Sequence, residues 1–330
     1  MGIRSRRLIL VYHTFGREGQ PKVRNGRYYG RQGTVHLDIL KAHLEWLSEF
    51  AYFVSLPEIV RAAQKGKPTR RGKWEVAVTL DDGYRNNLTL GHPLFERFQI
   101  PVTWFVSTEF VEGDRLPWWD LVDYVTRVVR PSLTIDTGEA EFTFELSNGE
   151  DRTRFRESCQ RWFLDASASV SQRIRSQIEN RIPGCVPENA FASRAEIERA
   201  SQSPWIRLGG HTLSHPNLAN RPAQTIREEV KGGKEKLEDW TDQSIQWFAY
   251  PYGGQNHWND TTKQIVQQEG FDGAVTTVRA YAGQADDRFA VPRLTVPNTR
   301  VLWKTKAWML ATNTCRRLYS LKQGLSDISP

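Results

Sequence analysis

The sequence predicts a parallel α/β fold with enough strands to close a barrel, and three observations carry that expectation. Short apolar runs alternate with amphipathic helical stretches in both halves of the chain, the pattern of strand–helix–strand crossovers. Roughly seven or eight such runs can be counted, about the number that closes a barrel. His13, Asp81, Asp82 and His211 each follow directly on one of these runs, at the strand ends where parallel folds gather their functional groups.

Taken in order, Leu8 to His13 reads as a buried strand, and Leu37, Leu40, Leu44 and Leu47 recur at helical spacing through Phe50. Phe53 to Leu56 is expected to be a short strand, with a helix starting at Pro57, since proline suits a helix's first turn. Val76 to Leu80 is an apolar strand ending in Asp81-Asp82-Gly83; a helix to about Phe98 and a strand from Pro101 to Val106 follow. Between about 112 and 204 the pattern changes. A helix starts at Pro117-Trp118-Trp119-Asp120, Leu133 to Leu146 alternates like a hairpin, and Arg- and Glu-rich helical segments run to Ser201. This stretch is expected to be an α+β insertion, either a lid or substrate wall or a cap without contact to the site. The alternation then resumes with strands at Trp205–Gly210, Ile245–Tyr250, Gly273–Thr277 and Phe289–Val296, and helices at Pro222–Trp240 and Thr261–Glu269. The expected organisation is a barrel over 1–300, interrupted at 112–204, and an amphipathic helix and tail over 301–330.

Composition sets the outer limits. The 330 residues, 39% hydrophobic and 25% charged, are those of an ordinary globular protein with chain to spare for a large core. The net charge of +7 permits attraction to anionic polymers, but no nucleic-acid motif accompanies the basic clusters, so no nucleic-acid partner is expected. Three widely spaced cysteines (Cys159, Cys185, Cys315) give neither a disulfide framework nor a metal pattern. No run reaches transmembrane length, and the basic N-terminus with Leu8–Val11 makes a poor signal peptide, so the expectation is cytoplasmic. Residues 301–321 mix tryptophans with lysines and arginines, so a peripheral membrane contact is open there, against packing on the same domain.

Three motifs carry chemistry. Adjacent carboxylates at a strand end can divide two roles, one holding a metal while the other stays free for proton transfer; by itself an Asp-Asp-Gly turn is common. His211-Thr212-Leu213-Ser214-His215-Pro216 sets two imidazoles four residues apart after a glycine-ended strand. Two imidazoles with one carboxylate make an open, catalytic zinc pattern rather than a closed structural one. Phe248 to Gly254 combines a proline-fixed backbone with glycines that permit close approach, so a backbone N–H there can face an oxyanion.

Tyr12-His13, Thr79-Leu80-Asp81-Asp82-Gly83, His211-Thr212-Leu213-Ser214-His215-Pro216 and Tyr250-Pro251-Tyr252-Gly253, in that order, resemble the polysaccharide deacetylase family (NodB homology, carbohydrate esterase family 4) over roughly 8–110 and 204–300. The resemblance implies a distorted (β/α) barrel with a divalent metal, usually zinc, held by Asp82, His211 and His215. It implies Asp81 as the base that activates a metal-bound water and the Tyr252 N–H as an oxyanion donor. The reaction would be hydrolysis of the acetamide of an N-acetylated amino-sugar polymer, oligomer or precursor.

Two departures qualify the match. The arginine that often opens the third motif is replaced by Phe248 or Ala249, and Arg293 is the residue expected to supply a guanidinium from the last strand. The family's late histidine, which protonates the leaving amine, has no counterpart, because no histidine follows His257; His13 is the substitute considered. Two other functions remain open: a catalytically weak deacetylase-like glycan-binding protein, and an amidohydrolase acting on a small non-sugar amide.

Overall fold

The computed structural model describes residues 6–16, 23–24, 27–28, 34–112, 116–128, 132–182, 190–283 and 286–296. The expected amphipathic helix after residue 300 lies outside them, as do Cys185 and Cys315. The chain divides into two compact units, one formed by 1–20, 32–111 and 191–330, the other by 21–31 and 112–190.

The first unit is built on an eight-stranded sheet whose pairings are all parallel. In space the strands run Gly273–Val275, Trp247–Ala249, Ile206–Gly210, Val102–Val106, Trp74–Leu80, Arg7–Tyr12, Leu294–Thr295, and Ala51–Phe53 pairs with the first half of Trp74–Leu80. The segment before the last strand links the two edges. Val291 donates to the Ala274 carbonyl and accepts from Thr276 N–H, while Leu294 and Thr295 pair with Leu10 and Val11. The outcome is a curled parallel sheet forming a half-barrel with helices, of the barrel type the sequence predicted.

Period-two alternation decides what fills the ring and what covers it. Ile9, Ala77, Phe105, Trp247, Ala249, Val275 and Val291 form one buried cluster, with Leu56, Ile59, Val60 and Ala63 of the helix Leu56–Gln64. Their neighbours on the same strands, Leu8, Leu10, Tyr12, Val76, Val78 and Leu80, belong to a second cluster with the outer helices, including Leu40, Leu44 and Leu47 of Leu37–Phe50. Glu75, on the inward file of its strand, meets buried Arg7 at 2.9 Å.

Some boundaries shift from the sequence expectation for local reasons. The strand expected over 53–56 is Ala51–Phe53, because Ser55 and Glu58 form a capping box that starts the next helix at Leu56. The stretch expected to be one helix to Phe98 opens with a π-helical turn, Asn87–Gly91, before the α-helix His92–Arg97. Asn87 donates its side-chain N–H to the His13 carbonyl at 2.8 Å and so fastens that turn to the end of the first strand.

The second unit holds the antiparallel hairpin Ser132–Asp136 and Glu141–Glu145 and the helices Trp118–Val128, Gly149–Asp165 and Ala168–Glu179. Leu121, Val125, Leu133, Ile135, Phe144, Phe155 and Ile174 make its own core, which includes the buried free thiol of Cys159. The helix Arg194–Ser201, read from the sequence as part of the insertion, contacts the helix Ala223–Thr241 and the strand Ile206–Gly210 of the first unit.

Candidate active site

Five strands of the first unit end at one place. Tyr12 lies beside Leu80, Leu80 beside Trp104, Val106 beside Gly210, and Gly210 beside Phe248. The residues that follow these strands therefore share the C-terminal rim of the sheet. Arg293 reaches it differently, from just before the strand Leu294–Thr295.

Asp81 continues the inward file of Ala77 and Thr79. Simple alternation would send Asp82 to the outer layer, but its φ of 78° turns the chain through the left-handed region. The two adjacent carboxylates thus meet different partners. Asp81 is gripped by Arg293, whose Nη1 and Nη2 donate to Oδ1 and Oδ2 at 2.8 and 2.7 Å. The guanidinium is itself aimed by donation to Thr79 Oγ1 at 2.9 Å and to the Thr276 carbonyl at 3.0 Å, and it lies over the Phe105 ring. Burial alone would raise the Asp81 carboxyl. The charge and hydrogen bonds of Arg293, followed by His211 and His13, outweigh it and hold Asp81 below its usual range.

Asp82 faces the histidines. One ligand atom each from Asp82, His211 and His215 lie within 4.8 Å of one another, and all three residues are buried, at 1, 1 and 5% exposure. The His211 Nδ1 lies 2.7 Å from the Ala249 carbonyl, an acceptor only, so Nδ1 is the donor. The other ring nitrogen, His211 Nε2, faces Asp82 Oδ1 at 3.5 Å, while His215 Nε2 lies 3.3 Å from the same oxygen. Electron pairs converging in a buried space suit a cation between them. The carbonyl partner of His211 is the kind of outer contact that orients a metal-binding imidazole. The residues present fit a divalent ion.

The loop between the histidines is bent hard. Thr212 and His215 have φ of 68° and 61°, a conformation that costs on the order of 1–3 kcal/mol for a residue with a side chain. Its carbonyls are held by the residues that follow the strand Val102–Val106: Ser107 Oγ donates to His211 O at 2.8 Å, Thr108 N–H to Thr212 O at 3.3 Å, and Glu109 N–H to Leu213 O at 3.0 Å. A Cβ at Gly233, in the helix Ala223–Thr241, would lie 2.7 Å from the Thr212 carbonyl carbon. Alanine is otherwise the better helix former by about 1 kcal/mol, but here the clash with backbone decides the sign. Gly233→Ala is expected to destabilise the protein by about 1–3 kcal/mol, read as a lower thermal midpoint.

Tyr252 also lies in the left-handed region, at φ 61°; its carbonyl accepts from Thr277 Oγ1 at 2.7 Å, and its ring packs 4.6 Å from that of His215. His13 sits half-buried after the first strand, near enough to Asp81 for its charge to lower that carboxyl. His43 is sealed in the core, and His92 bonds to Ser203 away from the rim. Sequence reasoning missed Thr79, Thr276, Ser107 and Ala249, which orient the acidic and imidazole groups. Only Thr79 left a signal, two residues before Asp81 on the same strand face. It also missed Phe110, whose ring lies 6.3 Å from that of His215.

Comparison with known proteins follows this geometry. Residues 167–274 match the family model for polysaccharide deacetylase, a span with both histidines and Tyr252 but without Asp81, Asp82 or Arg293. No curated protein matches the chain in sequence. Among solved structures, the deacetylase PplD of Streptococcus pyogenes, in complex with acetate, superposes with a TM-score of 0.60 at 17% identity, over 92% of this chain and 97% of its own. A de-N-acetylase from Aggregatibacter actinomycetemcomitans gives 0.57 at 14% identity, over 91% and 98%. IcaB from Ammonifex degensii gives 0.56 at 18% identity, over 92% and 95%. These likenesses establish the fold. Among the described residues no helix is long and apolar enough to cross a membrane.

Proposed function

We propose, on the premise that this chain is a polysaccharide deacetylase-family hydrolase of amide C–N bonds, that it removes acetyl groups from N-acetylated amino sugars of a glycan or glycan precursor. The observation that carries the reading is the pairing of two buried arrangements: the Asp82–His211–His215 donor cluster and, one residue away, Asp81 in the fork of Arg293. An imidazole–imidazole–carboxylate set is zinc chemistry of the open, catalytic kind. Zinc held there supplies a charge that polarises the acetamide carbonyl and acidifies water.

The remaining roles belong to the chain. Asp81 stays anionic at neutral pH and accepts the proton of the attacking water. Arg293 fixes which way its oxygens point. The Tyr252 backbone N–H, in its left-handed turn, offers a donor to the oxyanion. The water oxygen bonds to the carbonyl carbon, the C–N bond breaks, and the amine nitrogen takes up a proton, a delivery assigned in this reading to His13. Acetate and a free amino sugar result.

Asp81→Asn tests the assignment, since it removes the base and spares the cation's ligands. Acetate release is expected to fall about 10²–10⁴-fold with zinc content unchanged. The substrate class is tested by acetate release from a panel of N-acetylated oligosaccharides beside simple acylamides. Turnover of the acylamides alone would overturn the sugar assignment.

A further inference from the structure

The carbonyls of the histidine loop are tied to Ser107, Thr108 and Glu109; the His215 N–H turns back to Thr212 Oγ1, and the Leu213 and Ser214 amides turn to one side chain. Glu229, partly buried on the helix Ala223–Thr241, accepts through Oε2 from Leu213 N–H at 3.0 Å and from Ser214 N–H at 2.9 Å, and through Oε1 from Ser214 Oγ at 2.6 Å. The Leu213 N–H is shared with Glu229's own backbone carbonyl at 3.1 Å. The helix comes this close because positions 232 and 233 are glycine: a Cβ at 232 would meet Leu213 at 2.8 Å, and one at 233 would meet Thr212. Burial raises the Glu229 carboxyl and the neighbouring charge of Glu109 adds to this, against the pull of Ser214 and Leu213. A helix-surface glutamate in water carries none of these contacts. This one accepts three donors from the two residues between Thr212 and His215.

We propose that Glu229 is a positioning residue for the cation site: by binding the Leu213 and Ser214 amides it holds the left-handed loop in the form that aims both imidazoles at Asp82. None of its hydrogen bonds goes to Asp82, His211 or His215 themselves, so it acts through the backbone. The inference rests on the cation-site reading given above. It extends that reading to a residue that touches the loop but none of the three cation donors, where loss of an orienting contact typically weakens a metal site about 10–100-fold.

The test uses Glu229→Gln in the full chain, with zinc and cobalt(II) as probes. Glutamine is nearly isosteric and keeps one accepting oxygen, but it presents an amide N–H₂ to groups that are themselves donors. Zinc affinity, measured by competition with a chromogenic chelator, is expected to fall about 10–100-fold, and the visible spectrum of the cobalt-loaded protein to change. The thermal midpoint of the metal-free protein is expected to stay close to the parent's. Ser214→Ala, which loses one of the three donors, is expected to show a smaller fall in the same direction. Parent-like zinc affinity and an unchanged cobalt spectrum in Glu229→Gln, with Asp82→Ala unable to bind zinc, would overturn the role of Glu229 alone. Zinc retention by Asp82→Ala at the parent's affinity would instead overturn the cation site on which it rests.

Discussion

Replacing His215 by alanine is expected to strip zinc from the protein and to abolish acetate release with it. The site has three donors, and a catalytic zinc keeps its remaining position for water or substrate, so two donors cannot hold the ion against dialysis. What is lost is the charge that polarises the carbonyl, several kcal/mol of transition-state stabilisation, or about three decades of rate or more. Metal content after dialysis and acetate released from N-acetylated oligosaccharide are the two measurements. The substitution leaves Asp81 and Arg293 in place, so a protein that keeps its circular dichroism but loses both signals isolates the ion's part. Zinc held at the parent's stoichiometry, with turnover within a few-fold, would remove His215 from the site.

Arg293→Met is expected to produce the largest loss of stability of any single change near the rim. Arg293 is 0% and Asp81 2% exposed, and removing one partner of a buried ion pair typically costs about 3–5 kcal/mol because the other charge is left without compensation. The pH dependence has a defined sign. In the folded parent the Asp81 carboxyl titrates below its ordinary value of 3.8. The pairing therefore stabilises the protein fully above that value, and its contribution is lost as pH falls through the lower folded one. The gap in unfolding free energy between parent and variant is thus expected to shrink as the solution is acidified. Denaturant titrations at neutral and acid pH measure it. The double variant Arg293→Met with Asp81→Asn is expected to recover part of the loss, since neither charge of the pair remains; equal stability of single and double variants would argue against the pairing as the cause.

Much of the rim was legible because its residues follow strands, and strand ends show in sequence as apolar runs stopping at polar residues. Asp81, Asp82 and His211 could be found that way, and the His211–His215 spacing added the fourth. The meeting of Arg293 with Asp81 could not be read from pattern. It spans 212 residues, and only the pairing of the segment 291–295 with both ends of the sheet joins them; the expectation rests on the absence of the guanidinium from its usual place in the resembling family. The left-handed turns at Asp82, Thr212 and His215 left no mark either, because aspartate, threonine and histidine occupy many conformations. Nor did Glu229, one acidic residue among several on an exposed-looking helix. Propensity places the strand at 53–56 rather than Ala51–Phe53 because Val54 and Leu56 suit a strand. Ser55 with Glu58, a capping box visible in the sequence, was the signal that should have placed the helix start.

The apolar side chains inside the curl of the sheet, from Ile9 through Trp247 to Val291, are packed as core. Under the proposed chemistry the sugar chain, the incoming water and both products all meet the rim where Asp81, Asp82 and the two histidines lie. Acetate formed there occupies ground that the next acetamide needs. Acetate added at the start of a reaction is therefore expected to slow deacetylation in competition with the glycan, raising the apparent KM and leaving kcat in place.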